Sequence, residues 1–308
     1  MKRLLPIFLV IAILAGASYY LLIDSTKKEI STKKTIKIED CTRAKSCATL
    51  PKFLYKAGIK YPVIDLSQEH YMGIVFYDAR DTKRVLHKKS WERFEYLGTY
   101  AIDRKGNIYL TPNPFISIKP TTFNLQKGIY KIDSISQKLT RWMVIDEVEP
   151  TANNPYGLIS IVYDCNNNTL WASAIDKSNY KGSKGRIYHI DPNKKEIIGK
   201  IENFDALTVN LLYTKNSKYL IAGSAIDNGL YFFKFNGNQV DKKPFKVLDL
   251  PDPNLRIRKI RVIGKNRLIL EAIKFSYSLI AQSDNKKRYI YEASYNNIKS
   301  SWHIILKK

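Results

Sequence analysis

From about residue 46 to its end this chain repeats one short strand. A repeat at a roughly fixed period constrains the fold more than any other feature present. The strand opens on Gly or a basic residue, continues through apolar and aromatic side chains, and closes on a polar one. It reads Gly73-Ile74-Val75-Phe76-Tyr77-Asp78, then Gly128-Ile129-Tyr130-Lys131-Ile132-Asp133, then Arg186-Ile187-Tyr188-His189-Ile190-Asp191. Gly229-Leu230-Tyr231-Phe232-Phe233-Lys234-Phe235-Asn236 follows, and Arg288-Tyr289-Ile290-Tyr291-Glu292-Ala293-Ser294 is a looser copy. The closing positions fall about 45 to 58 residues apart, the length of a four-stranded blade with loops of variable size.

A second element precedes the first in four copies: a strand, a tight polar turn and another strand. The turns are Asp103–Asn107, Asp164–Asn168, Thr214–Lys218 and Gly264–Arg267. Gly and Asn in such turns supply the positive backbone angles that tight hairpins need. No stretch of helical period interrupts the pattern, and the 21 Tyr, 12 Phe and 4 Trp favour strands. The expected fold class is therefore all-β, a β-propeller of about five or six four-stranded blades, with a β-sandwich or a pair of β domains as the alternative.

The amino terminus has its own signature. Lys2 and Arg3 precede an apolar run that continues without a charge from Leu4 to Ile23, and Ala15-Gly16-Ala17 offers a small-residue cleavage site. Two readings stand: a cleaved signal peptide, or an uncleaved anchor whose length suits a bilayer. Both place the remainder outside the cytoplasm: periplasmic, secreted, or tethered to the outer face of the membrane. No Cys closes the apolar run to suggest a lipoprotein. The division expected is 1–23 signal or anchor, 24–45 polar stalk and 46–308 propeller. Of the three Cys, Cys41 and Cys47 lie close together, and in an oxidising compartment they are expected to form a disulfide, leaving Cys165 over.

The formal charge of +23 points to an anionic neighbour such as an envelope component, or simply to Lys-rich solvated faces. Nucleic acid is excluded on compartment and on the absence of a recognition motif. The run Arg256-Ile257-Arg258-Lys259-Ile260-Arg261 alternates as a strand does, and it reads as a sheet edge kept soluble by charge or as a face for anionic lipid or polymer.

Candidate chemistry gathers on the loops joining second strands to third and blade to blade. Ser173-Ala174-Ile175-Asp176 and Ser224-Ala225-Ile226-Asp227 are identical and share a register, so Asp176 and Asp227 are expected to ring one face. Two such carboxylates suit a hard cation such as Ca²⁺; otherwise they cap turns. The loop 111–127 carries Phe115 and Phe123 where loops are usually polar, and an adjoining acidic cluster holds Glu147 and Glu149 beside Asn154. These residues are the expected ligand face for a protein partner or small molecule. His189 stands inside an aromatic strand and is expected to be packed. No Gly-x-Ser-x-Gly elbow, phosphate loop or Cys-x-x-Cys-His is present.

The pattern Asp103-x-x-Gly106-Asn107-Ile108-Tyr109 followed by Gly128-Ile129-Tyr130-x-Ile132-Asp133 resembles the propeller group that includes NHL-repeat, YncE-like and SMP-30/gluconolactonase-like proteins. The gluconolactonase-like members imply a metal held by Glu, Asn and Asp, with the Asn in a Pro-Asn-Gly turn. Here Asn154-Pro155-Tyr156-Gly157 stands in a similar place with Tyr156 at that Asn, and the early Glu-Gly-Pro motif is missing. The leading expectation is an exported binding or scaffold module. The alternatives are a metal-dependent lactonase or esterase and a quinone-dependent sugar dehydrogenase.

Overall fold

The structure is a computed structural model that describes residues 40–43, 46–94, 96–114, 123–278 and 287–307. The expected signal or anchor segment, most of the stalk and Phe115 lie outside these residues. Among the described residues no helix is long and apolar enough to cross a membrane.

Alternation at a period of two makes strands, and short polar turns fold consecutive strands into antiparallel sheets. Five such sheets follow one another as blades. Blade 1 has three strands, β2 (Pro62–Asp65), β3 (Val75–Asp78) and β4 (Asp81–Leu86). Blade 2 contains β5 (Leu97–Ile102), β6 (Ile108–Pro112), β7 (Gly128–Ile132) and β8 (Leu139–Val144). Blade 3 contains β9 (Leu158–Asp164), β10 (Thr169–Ala174), β11 (Arg186–Asp191) and β12 (Glu196–Glu202). Blade 4 is β13 (Ala206–Thr214), β14 (Lys218–Ser224) and β15 (Gly229–Asn236), with β16 (Gln239–Val240) and β17 (Phe245–Asp249) both on β15. Blade 5 is β18 (Leu255–Gly264), β19 (Arg267–Lys274), β20 (Tyr289–Asn296) and β21 (Ser301–Leu306). The expected hairpins form where the turn chemistry put them, with Gly106, Asn168 and Asn266 at φ of +81°, +54° and +58°.

Both faces of an inner blade are covered, so its central strands are apolar on either side. Along β10, Leu170 packs towards blade 2 while Trp171 packs towards blade 4. Buried clusters join blade 1 to 2 (Phe76 and Trp91 with Ile108), 2 to 3 (Tyr109 with Leu170), 3 to 4 (Trp171 with Leu220) and 4 to 5 (Ile221 with Leu270). No buried apolar cluster joins blade 5 to blade 1 among the described residues. Ile257, Ile260 and Val262 of β18 are buried in the cluster with blade 4, while Lys259, Arg261 and Ile263 are exposed. The basic run is thus the innermost strand of blade 5, its free edge turned to the channel rather than to the outside.

A strap of amino-terminal residues crosses the end of the channel where the first hairpin of each blade turns. Asp40 accepts hydrogen bonds from Asn266 and Asn297 and pairs with Lys265. Residues 40–43, expected in the stalk, are part of the fold. β1 (Cys41–Arg43) pairs antiparallel with the inner strand β13, Cys41 opposite Thr214. Cys47 is bonded to Cys165 in the β9–β10 turn, and the Thr49 amide donates to the Asp103 carbonyl in the β5–β6 turn. The chain then enters α1 (Lys52–Lys56) and blade 1. The expected Cys41–Cys47 disulfide is therefore corrected to Cys47–Cys165. Cys41 is a free thiol at 0% exposure, taken out of reach by its pairing with β13 and packed against blades 4 and 5, where burial pushes it up to about 11.

Candidate functional site

The two repeat aspartates both lie just past the second strand of their blades, but not in the expected shared register. Ile175 and Ala225 take equivalent places, their amides donating to the carbonyls of Gly157 and Asp205 ahead of the inner strands, so Asp176 aligns with Ile226 and Asp227 lies one residue further on. Each is engaged within its own surroundings. Asp176 is fully buried; one of its oxygens accepts from the Arg186 guanidinium and from the Glu149 amide. Asp227 accepts from the Tyr231 hydroxyl at 2.7 Å and the Gly229 amide at 3.0 Å, and pairs with Lys246. Although burial opposes ionisation of Asp227, those partners hold its carboxyl below the usual range. Among the described residues no group of three His, Cys, Asp or Glu side chains comes together as a cation site.

The other nominated residues are dispersed in the same way. Glu147 pairs with Lys200 and Arg186, and Glu149 pairs with Lys177, which holds its carboxyl below the usual range. Asn154 is buried, and its side-chain amide donates to the carbonyls of Ile175 and Ser178. It ties the blade 2 to blade 3 connection to the next loop, a structural task. Phe123 begins a short 3-10 turn, Phe123–Lys127, and is partly buried.

Sequence reasoning passed over the residue that organises the loop end of the channel. Asp205, in the connection into β13, accepts from the hydroxyls of Ser178 and Ser183 at 2.7 Å each, from the Gly185 amide at 2.6 Å and from the Tyr277 hydroxyl. Any Cβ at Gly185 would collide with that carboxylate and with the carbonyls of Phe204 and Ala174, so only glycine fits. Above the inner strands Tyr156 meets Phe275, Phe275 meets Tyr277 and Tyr277 meets Tyr180, tilted or edge-on with centroids 5.1 to 5.4 Å apart, over Ile159, Ile175, Leu207 and Ala225. The loops, polar in isolation, thus close this end with an apolar seal. Tyr156, the departure from the gluconolactonase-like motif, is a member of it.

At the strap end the channel widens into a cavity of about 610 Å³. The walls come from the inner strands β5, β9, β13 and β18, and Ser46, Ala48 and Cys165 complete the lining. It reaches solvent, since Tyr100 and Ile263 in the wall are 42% and 45% exposed. Asn210 is fixed by donating to the Ile260 carbonyl of the next blade, and Arg261 is the one basic residue of the lining.

His189 is packed, as expected. Its ring stacks on Trp171 at 4.0 Å and 6°, and Nε2 meets the Thr169 hydroxyl at 2.9 Å. Burial pushes the imidazole from its ordinary 6.5 down to about 4. The unfolded chain then takes a proton near pH 6.5 while the folded one resists until about pH 4, so protonation favours unfolding throughout that window. Urea denaturation is expected to show stability falling from pH 6.5 towards pH 4, by up to about 3 kcal/mol from this group. His189→Gln is expected to remove that part of the slope; an unchanged slope would place its origin elsewhere.

No known family pattern matches the chain, and no curated protein matches it. Among solved structures, the acylaminoacyl peptidase of Pyrococcus horikoshii is 11% identical at a TM-score of 0.37, covering 85% of this chain and 39% of the peptidase. The chain thus spans well under half of that enzyme. A glucose dehydrogenase is 9% identical at 0.35, covering 85% of this chain and 80% of its own length. The PQQ-bound aldose sugar dehydrogenase of Streptomyces coelicolor is 11% identical at 0.33, covering 88% and 100%. At these identities and scores none of the three supplies a functional argument.

Proposed function

We propose that this chain is a five-blade binding module that works outside the cytoplasm and takes a small ligand in its central channel. The cavity of about 610 Å³ carries the reading: sites for small molecules are concave, largely preformed and roughly 300–1,000 Å³. Its walls are inner strands locked between packed blades, so the site is rigid before a ligand arrives. The Cys47–Cys165 disulfide supports an oxidising compartment, in line with the basic and then apolar amino terminus.

The test is to fill the cavity from its least constrained wall. Ser46 is exposed on the strap and lines the cavity, so Ser46→Trp occupies space without substituting any residue of an inner strand. A thermal-shift survey of neutral sugars, organic cations and organic anions is expected to find compounds that raise the melting temperature of the wild type and not of Ser46→Trp. Equal shifts in both proteins, or none in either, would remove the channel as the site. Ester or lactone hydrolysis abolished by chelation would move the reading to a metal-dependent hydrolase.

A further inference from the structure

The charge on the four strands that wall the cavity is one-sided. β5 and β13 contribute no charged residue, and the single acid of β9, Asp164, is fully buried and paired with Lys218. β18 alone brings Arg256, Arg258, Lys259 and Arg261, with no acid among them. The Arg256 guanidinium is occupied by the carbonyls of Ala225, Ile226, Pro253 and Leu255. Arg258 reaches across to the Leu207 carbonyl at 3.2 Å and has no carboxylate partner among the described residues. Burial pushes that guanidinium down from its ordinary value.

Further along the strand, Arg261 enters the cavity. Neither its guanidinium nor the Tyr100 hydroxyl, brought from β5, has a hydrogen-bond or ion-pair partner among the described residues. An unpaired guanidinium and hydroxyl lining one cavity whose lining holds no acidic side chain are the donors an oxyanion needs. The rest of the lining is mainly apolar, with Ile102, Val162, Leu211, Val262 and Ile263. The strap crosses one end of the channel and the aromatic residues seal the other, so a polymer has no straight path through.

We propose that the cavity binds a small organic anion, its carboxylate, sulfonate or phosphate held by Arg261 and Tyr100 and its apolar body against the lining. This deepens the channel reading and rests on it. The probe is naphthalene-2-sulfonate, titrated calorimetrically into the full chain beside its neutral sulfonamide and inorganic sulfate. One equivalent of the sulfonate is expected to bind, with the sulfonamide and the sulfate each at least about tenfold weaker. Arg261→Ala is expected to cost at least about tenfold in affinity, Arg261→Lys less, and Arg80→Ala, on the outer side of blade 1, nothing. Arg261 is exposed, and an unchanged melting temperature checks that its variants fold. Sulfonate binding indifferent to Arg261→Ala overturns the anion site. So does a sulfonamide that binds as well as the sulfonate, or sulfate that binds as tightly. A neutral ligand lost in Ser46→Trp, with no anion preference, leaves the channel reading standing and removes this one. Finding no ligand whose binding depends on Ser46 removes both.

Discussion

Cys47→Ser is expected to lower the free energy of unfolding by about 2–4 kcal/mol and the melting temperature by roughly 6–12 °C. The bond closes a span of 118 residues, and a cross-link over so long a loop withdraws much conformational freedom from the unfolded chain. It also fixes the strap against blade 3, midway between its anchors at Asn266 and Asp103. Cys165→Ser and the double variant are expected to match Cys47→Ser, since each removes the same bond. Reductant should then lower the melting temperature of the wild type and leave all three variants where they are. Cys41→Ser should retain the cross-link and lose only about 1 kcal/mol, from placing a hydroxyl in an apolar site. Non-reducing peptide mapping decides the matter independently. A Cys41–Cys47 peptide, or a silent Cys165→Ser, would contradict the structure.

Asp205→Ala is expected to cost about 3 kcal/mol or more, because it strands several buried donors at once. Ser178, Ser183, Gly185 and Tyr277 all turn to this one carboxylate, and it is 2% exposed. Those donors come from the second-to-third-strand loops of blades 3 and 5, so the change should loosen the aromatic seal as well as the local turn. Tyr277→Phe, which removes one of the four, is expected to cost only about 1 kcal/mol. Urea denaturation gives both values. An Asp205→Ala protein within about 0.5 kcal/mol of wild type would show that water satisfies those groups as well as the carboxylate does. Hydrogen exchange at Tyr180 and Phe275 would then report whether the seal still forms.

The sequence by itself determined whatever depends on near neighbours along the chain. Gly106, Asn168 and Asn266 turn their hairpins because those residue types accept positive φ at little cost. The aromatic strand of each blade could be placed because alternation with period two is local. The place of Asp176 and Asp227 just past their second strands was legible for the same reason, although their one-residue offset and their partners Arg186 and Lys246 were not.

Tertiary structure decided the features that depend on which blade a segment meets. Cys47 finds Cys165 because Cys41 pairs with Thr214 and the strap continues across the blade 3 hairpin. The six-residue spacing to Cys41 carries no trace of that route. Asp205 is an unremarked loop carboxylate until the loops of two other turns converge on it. The basic run of β18 reads identically as an outer edge or as an inner wall, because alternation tells which residues share a face and not what the face meets. Ring position, set by the order in which blades pack, turns that run towards the channel and leaves Arg261 in a cavity rather than on the protein's outer surface.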